Sequence, residues 1–441
     1  MSGTRRVVVS GMGAVTCYGT GVEHLWRNIV AGKSGASMLD FAGVDGLPVR
    51  FAAPVPMDNA ALEKLLPNPR AAKTMSRAAM FAMIAASEAA RQAAFGDAPI
   101  APERVGTSLG VGGLGLIDRE HVETTFDIFS SARDGAGALD RTRLWRTTSE
   151  RVNPLTPLKA LPNIAAANLA IQFNARGPSQ THATACTSGS QAIGEAARLI
   201  RWGVCDAVFA GGADSMVNPN GILAFAGLGV LSRNHDEYAT ASRPFDRRRD
   251  GFLLGEGAAV LVLEELEGCL ARGGVPLAEI IGYGATSDAH RVTDEPEDAR
   301  GSIAAMRAAL ADAGIPADAV DYVHAHGTGT LMNDRTETRA IRAVFGHHAD
   351  RLPVSSTKSM MGHLIAAAGA VQLVTTVLAL RDGLLPPTTN YEQPDPECDL
   401  DCVPNHPRAA NLEHAVANCF GFGGQNACLV VRRVPRAGAG S

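Results

Sequence analysis

The residue of this sequence best suited to covalent chemistry is Cys186, in the stretch THATACTSGSQAIGEAARLI that runs from 181 to 200. The small residues around it suit a tight strand-to-helix turn, and apolar residues between Ile193 and Ile200 recur at helical spacing. The free N–H groups and the dipole of a helix N-terminus favour a thiolate and lower the pKa of a thiol. The stretch alone leaves a second interpretation open, a buried cysteine that only packs.

A lysine and a histidine stand together in SSTKSMMGH (355–363). Both are poor choices for a protein core beside a strand-to-helix turn, so we expect Lys358 and His363 to be site residues. A glycine-rich loop, NCFGFGGQNA (418–427), suits backbone N–H groups that approach a reacting oxygen. Phe420 and Phe422 in that loop either pack or gate a pocket.

The motif HAHGTGT (324–330) reads as a strand that runs into a glycine-rich loop. Side chains alternate along a strand, which places His324 and His326 on one face and makes a metal pair one interpretation. That pair lacks an evident third ligand. The other interpretation is that the two histidines are buried and hydrogen-bonded without a catalytic role. This is plausible for one of them but less so for both.

These motifs are positioned by an internal repeat, which appears as four pairs of similar segments in the same order along the chain. The pairs are VVVSGMGAVT with EIIGYGATS, IAPERVGTSLGVG with IPADAVDYVHAHGTG, ATACTSGSQAIGEAA with SSTKSMMGHLIAAAGA, and GEGAAVLV with GQNACLVV. The third pair aligns Cys186 with Ser359 and Gly189 with Gly362. The first half is longer, and its main insertion contains HVETTFDIFSSARDGAGALDRTRLW (121–145), a length that is usually functional or interfacial.

Each half repeats an apolar run, a glycine turn and an alanine-rich helical pattern, which predicts βα units on a mostly parallel sheet and an α/β fold. We expect two halves, 1–275 with the cysteine and 276–435 with the histidines and lysine, and one site at their junction.

Composition narrows the function classes. The chain has 441 residues, 46% of them hydrophobic, and a formal net charge of −5. It shows no basic tail or basic aromatic stripe, so nucleic acid is not an expected partner. The eight cysteines form no CxxC pair and are expected to be reduced. No secretory leader or membrane span is evident, so we expect a soluble cytoplasmic protein.

Together the motifs TACTSG, HAHGTGT, NDRTET, SSTKSMMGH, CFGFGGQN and RPFDRRRDGFLLGEG resemble those of the elongating β-ketoacyl-acyl-carrier-protein synthases. The similarity is greatest to synthase II and to the ketosynthase subunit of type II polyketide systems, and it covers essentially the whole chain. It implies the thiolase fold, a duplicated five-layer αβαβα body. It also implies decarboxylative Claisen condensation of an acyl thioester with malonyl-acyl-carrier-protein, without a cofactor or a metal.

The resemblance implies a role for each motif. Cys186 is similar to the nucleophile that stores the acyl chain, and His326 and His363 are similar to the pair that assists decarboxylation, both donating N–H to the malonyl thioester oxygen. Lys358 would hold charge and orientation beside His363. Glu337 matches the acidic residue that supports the lysine.

Further residues are assigned in the same way. The N–H groups of Cys186 and Phe422 would form an oxyanion hole, with the Phe422 ring as a gate. Thr328 and Thr330 match positions that hydrogen-bond the phosphopantetheine arm. Two positions depart from the family pattern, because Cys419 replaces the usual serine and Gln425 the usual threonine.

The implied partners are an acyl carrier protein and a second subunit, either a copy of this chain or a chain-length-factor homologue. Arg70, Lys73 and Arg77 in PRAAKTMSR are candidates for carrier docking, with an ordinary solvated helix start as the alternative. The length and saturation of the acyl chain, and the choice between fatty-acid and polyketide pathways, stay open.

Three rival functions follow from particular residues. GVGGLG (110–115) fits a dinucleotide-binding pattern, but no helix and second strand with a terminal acid follow it. A thiolase-like acyltransferase of the same fold would use Cys186 with Cys419. A chain-length-factor subunit would be inactive, but such subunits lack the cysteine.

Overall fold

The chain alternates strands and helices, as the βα pattern predicts, and the computed structural model describes residues 5–41, 43–96, 100–113 and 119–434. The strands are β1 (Val7–Thr16), β2 (Gly19–Thr20), β3 (Ser37–Met38), β4 (Phe51–Ala52), β5 (Val105–Val111), β6 (Ser179–His182), β7 (Ala207–Ser215), β8 (Glu256–Glu265), β9 (Ala278–Ser287), β10 (Tyr322–His324), β11 (Val354–Ser355), β12 (Leu384–Leu385), β13 (Arg408–Ala409), β14 (His414–Gly421) and β15 (Gln425–Arg433). The helices are α1 (Val22–Val30), α2 (Asn59–Glu63), α3 (Arg77–Gln92), α4 (Arg119–Ser131), α5 (Arg141–Arg151), α6 (Thr156–Lys159), α7 (Asn163–Gln172), α8 (Ser188–Arg201), α9 (Pro219–Gly227), α10 (Leu266–Ala271), α11 (Arg300–Ala313), α12 (Leu331–Phe345), α13 (Lys358–Met361) and α14 (Ala368–Asp382).

A mixed sheet runs through the molecule in the order β11-β10-β14-β15-β9-β1-β8-β7-β5-β6. Its outer strands pair in parallel, but the five pairs from β14 through β9 and β1 to β7 are antiparallel, so the prediction of a mostly parallel sheet is wrong. The two halves meet where β1 pairs with β9, Val8 with Glu279 and Val9 with Ala278. Outward from this junction, β1, β8, β7, β5 and β6 correspond in order to β9, β15, β14, β10 and β11. The strand order is therefore twofold symmetric, while the boundaries 1–275 and 276–435 stay a prediction.

Helices cover the sheet in layers. Helices α3 and α7 pack on one side of the first-half strands, and α11, with α12 against it, packs on the far side of the second-half strands. Helices α8 and α14 lie between, in contact with each other and with strands of both halves. This is the five-layer αβαβα arrangement that the resemblance implies. Strands β1 and β7 are buried at every position, as expected of strands covered on both faces.

The two central helices meet at their N-termini through glycines. A Cβ on Gly189 would lie 2.9 Å from the Ala366 carbonyl oxygen, and one on Gly369 would lie 2.1 Å from Ser190 Oγ. Only glycine permits so close an approach at both positions. Gly189 thus corresponds to Gly369, and the predicted alignment of Gly189 with Gly362 is wrong.

The equivalent turns confirm this corrected register. Ala185 has φ +50° and Ile365 has φ +48°, and each opens a 3₁₀ turn that leads into a central helix. Cys186 therefore corresponds to Ala366 and not to Ser359. Two residues (183–184) separate the end of β6 from Ala185, whereas nine (356–364) separate the end of β11 from Ile365. The additional residues of the second half carry Lys358 and His363, so neither has a counterpart in the first half.

The stretch from Ile365 to Asp382 is apolar and long enough to cross a membrane, but 89% of it is buried inside the protein. It is the central helix α14 with its preceding turn.

The insertion of the first half forms a small helical pair. Helices α4 and α5 pack around Ile128 and Leu144, and they leave Phe126 and Trp145 exposed.

Candidate active site

Cys186 lies in the 3₁₀ turn Ala185–Thr187, directly before the central helix α8. The left-handed conformation of Ala185 turns the chain sharply at this point. The Cys186 side chain is 8% exposed and lines a cavity between the two halves. The cysteine thus stands at a strand-to-helix turn, as its sequence context predicts.

His363 contacts the thiol directly, because its Nε2 lies 3.0 Å from Cys186 Sγ. Its Nδ1 accepts a hydrogen bond from the Ile365 N–H at 3.2 Å. A neutral imidazole with an acceptor at Nδ1 carries its proton at Nε2. Burial and the charge of Lys358 hold the pKa of His363 well below its usual value, which keeps the ring neutral. The Nε2–H group therefore donates to the sulfur.

The helix N-terminus does not make Cys186 a thiolate in the free enzyme. Burial raises the pKa of the thiol to about 12, although the charge of Lys358 and a hydrogen bond from the Phe422 N–H lower it. This direction is opposite to the expected lowering, because burial of the sulfur outweighs the nearby positive charge and N–H group.

His326 follows strand β10 and faces His363, with the two ring centroids 5.2 Å apart and the ring planes at 84°. Burial, then Lys358 and His363, hold the pKa of His326 well below its usual value. Its backbone is held on both sides. Lys358 Nζ donates to the His326 carbonyl oxygen at 2.6 Å, and the His326 N–H donates to Glu337 Oε1 at 2.8 Å.

Lys358 is hydrogen-bonded to the His326 carbonyl oxygen, and its charge also acts on His363, as expected. It is 5% exposed, and burial lowers the pKa of its amine, while the neighbouring Cys419 and Glu337 raise it. Glu337 supports the lysine indirectly, because it accepts hydrogen bonds from the backbone of His326 and from the Gly327 N–H at 2.7 Å. Burial raises the pKa of Glu337 to about 7.

The cavity that Cys186 lines also receives Thr328, Thr330 and Phe422. The two threonine hydroxyls lie 2.9 Å apart. The Phe422 ring packs against an apolar cluster that includes Phe252. Pantetheine contacts for the threonines and a gate at Phe422 fit this placement and stay predictions.

His324 cannot pair with His326 on a metal, because both of its ring nitrogens are already engaged. Nδ1 lies 3.0 Å from Thr376 Oγ1 and Nε2 lies 3.1 Å from Thr357 Oγ1. Among the residues that the structure describes, the ligand atoms that do converge belong to Cys186, His326 and His363, all within 4.8 Å of one another. The proton that His363 directs at the sulfur suits a thiol–histidine pair. That the reaction needs no metal stays a prediction.

The chain matches two family models, the N-terminal domain of β-ketoacyl synthases over residues 4–268 and their C-terminal domain over residues 277–392. It belongs to the β-ketoacyl synthase family. It is 40% identical to 3-oxoacyl-[acyl-carrier-protein] synthase 2 of Coxiella burnetii over 430 residues, 98% of this chain and 99% of that protein. Identity to the synthase 2 of Synechocystis sp. is 38% over 429 residues, 97% and 98% of the two chains.

Solved structures agree with this family. The chain is similar to one in the complex of a type II polyketide acyl-carrier protein with its ketosynthase bound to the hexaketide, with a TM-score of 0.85 and 31% identity over 98% of this chain and 100% of that one. The ishigamide ketosynthase/chain length factor gives a TM-score of 0.84 and 31% identity over the same shares. The chain thus has the thiolase fold, and it is an acyltransferase that catalyses condensation in fatty-acid or polyketide elongation.

Within this β-ketoacyl synthase, Cys419 lies behind the nucleophile. Its thiol donates to the Cys186 carbonyl oxygen at 2.9 Å, and its sulfur lies 3.7 Å from His326 Nδ1. Cys419 is fully buried and is not among the described residues that line the cavity. That position does not suit a second catalytic thiol of the thiolase kind. Because the thiol proton goes to the carbonyl, the sulfur is left as an acceptor toward Nδ1 of His326, which favours the tautomer with its lone pair on Nε2.

Of the three residues predicted to dock the carrier protein, two are exposed and one is held in an ion pair. Arg70 and Lys73 are exposed on a 3₁₀ turn, Pro69–Thr74. Arg77 is unavailable to a partner because its guanidinium pairs with the buried Glu256 at 2.8 Å and also donates to the Val55 and Met57 carbonyl oxygens. Its assignment to docking is wrong. Carrier docking at the other two stays a prediction, and the described cavity lining includes neither.

Two of the three described glycines of GVGGLG, Gly110 and Gly112, have a packing role. A Cβ on Gly110 would lie 2.4 Å from the Gly189 nitrogen, so this glycine lets β5 approach the N-terminus of α8. The motif from Leu114 onward lies outside the described residues.

Sequence reasoning missed two polar residues that hold the site. Gln372 Nε2 donates to the Asn418 carbonyl oxygen at 2.9 Å, and Asn418 Nδ2 donates to Glu337 Oε1 at 3.2 Å. Gln372 is 3% exposed in the apolar helix α14. An uncharged amide in such a helix is the signal that would have revealed it.

Proposed function

We propose that this β-ketoacyl synthase extends an acyl chain by condensing it with a malonyl group carried on an acyl carrier protein, through an acyl-Cys186 intermediate. The proposal is supported most directly by the 3.0 Å contact between His363 Nε2 and Cys186 Sγ. A fixed N–H donor and the Phe422 N–H converge on one buried sulfur. That arrangement suits a nucleophile that becomes charged only during transfer.

In the loading step, the sulfur of Cys186 attacks the acyl carbonyl carbon, and the bond between that carbon and the carrier sulfur breaks. The thiol proton leaves with the carrier thiol. His363 Nε2–H stabilises the charge on the attacking sulfur, and we assign the oxyanion to the N–H groups of Cys186 and Phe422. Exchange between thioesters is nearly balanced in energy, so the chain is stored without loss.

In the second step, the malonyl group loses CO₂, and the electron pair moves onto the thioester as an enolate. His363 Nε2–H, released from the acylated sulfur, donates to the enolate oxygen. His326 presents a lone pair, which gives no stabilising hydrogen bond to the malonyl carboxylate. Negative charge is thus favoured on the enolate oxygen over the carboxylate, which is differential binding of the transition state. The enolate carbon then attacks the acyl carbon and expels the Cys186 thiolate, which takes a proton from solvent and returns to the neutral thiol.

This assignment differs from the expectation that both histidines donate N–H to the malonyl oxygen. The contact of His326 Nδ1 with Cys419 supports an acceptor at its Nε2, and Lys358 supplies positive charge behind it.

We further propose a dimeric, cytoplasmic enzyme that receives its substrates from an acyl carrier protein. Solved relatives include a ketosynthase with its acyl-carrier protein and ketosynthases with chain length factors. In the described chain, β6 is an edge strand that pairs only with β5, and an unpaired edge suits a partner subunit. The eight free thiols suit a reducing compartment.

The test is to treat the enzyme with a radiolabelled acyl thioester and map the label. We expect one labelled residue, Cys186, and no label in Cys186→Ala with its fold retained by circular dichroism. Label that persists in that variant, or that appears on Cys419, contradicts the proposal.

A further inference from the structure

Glu295 presents an unpartnered carboxyl oxygen at the wall of the active-site cavity. The residue lines the cavity together with Thr328 and Thr330, and its Oε2 is fully buried without a hydrogen-bond partner. Burial, then the neighbouring Glu337 and Asp288, raise the pKa of Glu295 to about 8. Burial of a polar atom without a partner is costly, so such an atom signals a missing ligand group.

Asn333 adds a second unsatisfied acceptor to the same wall. It is 7% exposed, its Oδ1 is buried without a partner, and its Nδ2 donates to Asp334 Oδ1 at 3.0 Å. That donation fixes the orientation of the amide, because only the nitrogen carries hydrogens for a carboxylate. Glu295 and Asn333 thus each bring a buried oxygen without a partner to a cavity wall that Thr328 and Thr330 also line.

The segment that carries Glu295 is held against the glycine-rich loop. The Gly423 N–H donates to the Val292 carbonyl oxygen at 2.6 Å, and the Asp288 N–H donates to the Gly424 carbonyl oxygen at 2.8 Å. Glu295 is therefore positioned relative to Phe422 and the nucleophile by backbone bonds, as a specificity residue requires.

The substrate that enters this cavity carries matching donors. A phosphopantetheine arm has two secondary amides, each with one N–H donor and one carbonyl acceptor. Hydroxyls of Thr328 and Thr330 can serve the carbonyls, whereas an N–H needs an acceptor. An amide N–H that enters a buried site without an acceptor loses binding energy. Two spare acceptors beside two hydroxyls are complementary to an amide.

We infer that Glu295, with Asn333, accepts the amide N–H groups of the pantetheine arm and so selects substrates that carry this arm. The inference rests on the proposed function and adds a specificity residue to it. A hydrogen bond from the pantetheine arm to Glu295 strengthens binding of the thioester and does not change the chemistry at Cys186.

The experiment compares malonyl thioesters of butanethiol, N-acetylcysteamine and pantetheine, which contain no amide, one amide and two. Each is tested by following CO₂ release from enzyme already acylated on Cys186, in wild type, Glu295→Leu and Glu295→Gln. The exposed Glu297→Leu is the matched control. We expect Glu295→Leu to lose about tenfold in kcat/KM for the pantetheine thioester and almost nothing for the butanethiol thioester. Glu295→Gln keeps an acceptor and should retain most of the preference.

If the loss first appears with the N-acetylcysteamine thioester, Glu295 binds the amide nearer the sulfur. If it appears only with the pantetheine thioester, Glu295 binds the second amide. An equal loss for all three thioesters in Glu295→Leu shows a structural effect and overturns the inference, as does an unchanged preference. Wild-type enzyme that turns over none of the thioesters, or that is not acylated on Cys186, counts against the proposed function instead.

Discussion

Replacing His363 by alanine should impair both half-reactions, whereas replacing His326 should impair one. The structure separates the two residues because His363 Nε2 is 3.0 Å from the sulfur, while His326 Nδ1 lies against Cys419. Sequence reasoning alone places both histidines at the malonyl group and leaves acylation untouched in either variant. The contact at the sulfur predicts a different result for His363.

The magnitude follows from the hydrogen bonds removed. His363→Ala deletes a donor to the developing thiolate, and hydrogen bonds to charged groups contribute about 1.5–3 kcal/mol, so acylation should slow by roughly 10- to 150-fold. The same variant loses the enolate donor, and loss of one such donor costs about 10²–10³ in rate. His326→Ala should acylate within a few-fold of the wild-type rate and lose decarboxylation.

The assay acylates each variant with a radiolabelled acyl donor under single-turnover conditions, removes the excess, and then adds malonyl carrier to follow CO₂. Gln and Asn variants of His363 serve as matched controls, because they return an N–H donor without a titrating ring. Wild-type acylation rates in His363→Ala would refute the role of Nε2–H at the sulfur. Equal acylation defects in both alanine variants would show that the contact is not specific.

Three further outcomes are expected. Alkylation of Cys186 by iodoacetamide should rise about tenfold per pH unit from pH 8 to 10, because the thiol is neutral below a pKa of about 12. In Lys358→Met the rate at each pH should fall, since the charge that lowers the thiol pKa is lost, and a rate that is flat with pH would contradict the buried neutral thiol. Arg77→Ala should destabilise the protein by about 3–5 kcal/mol in urea titrations, because it leaves Glu256 buried and unpaired, whereas Arg70→Ala should change stability little. Light scattering should give a dimer, and a clean monomer of 45.9 kDa at micromolar concentration would contradict the use of the β6 edge.

The fold was accessible from sequence because duplication leaves a visible signal. Similar segments around Gly11 and Gly282 occupy equivalent strands β1 and β9, and those around Val105 and Val320 lead into β5 and β10. The third pair was misaligned because the sequence SSTKSMMGH is similar to the segment that contains Cys186. The true counterpart lies seven residues further on, and only the packing of glycines at the two helix ends reveals it.

The site was predictable in its residue types but not in its contacts. Motifs gave Cys186, His326 and His363, whose ligand atoms the structure brings within 4.8 Å of one another. Which carbonyl Lys358 reaches, and which nitrogen of His363 bears the proton, depend on backbone positions far apart in the chain. The ion pair between Arg77 and Glu256 could not be predicted either, because the two residues are 179 positions apart in the chain.

The corrected register leaves the molecule with one operative nucleophile position and one that is vestigial. Ala366 occupies the place of Cys186 in the second half, and its N–H is bound at 3.1 Å by Asp214 Oδ2. The methyl side chain of Ala366 cannot attack a thioester. Its N–H already donates to the Asp214 carboxylate and is not free to bind an oxyanion. Acyl occupancy should therefore saturate at one equivalent per polypeptide, although the architecture that surrounds the nucleophile is present twice.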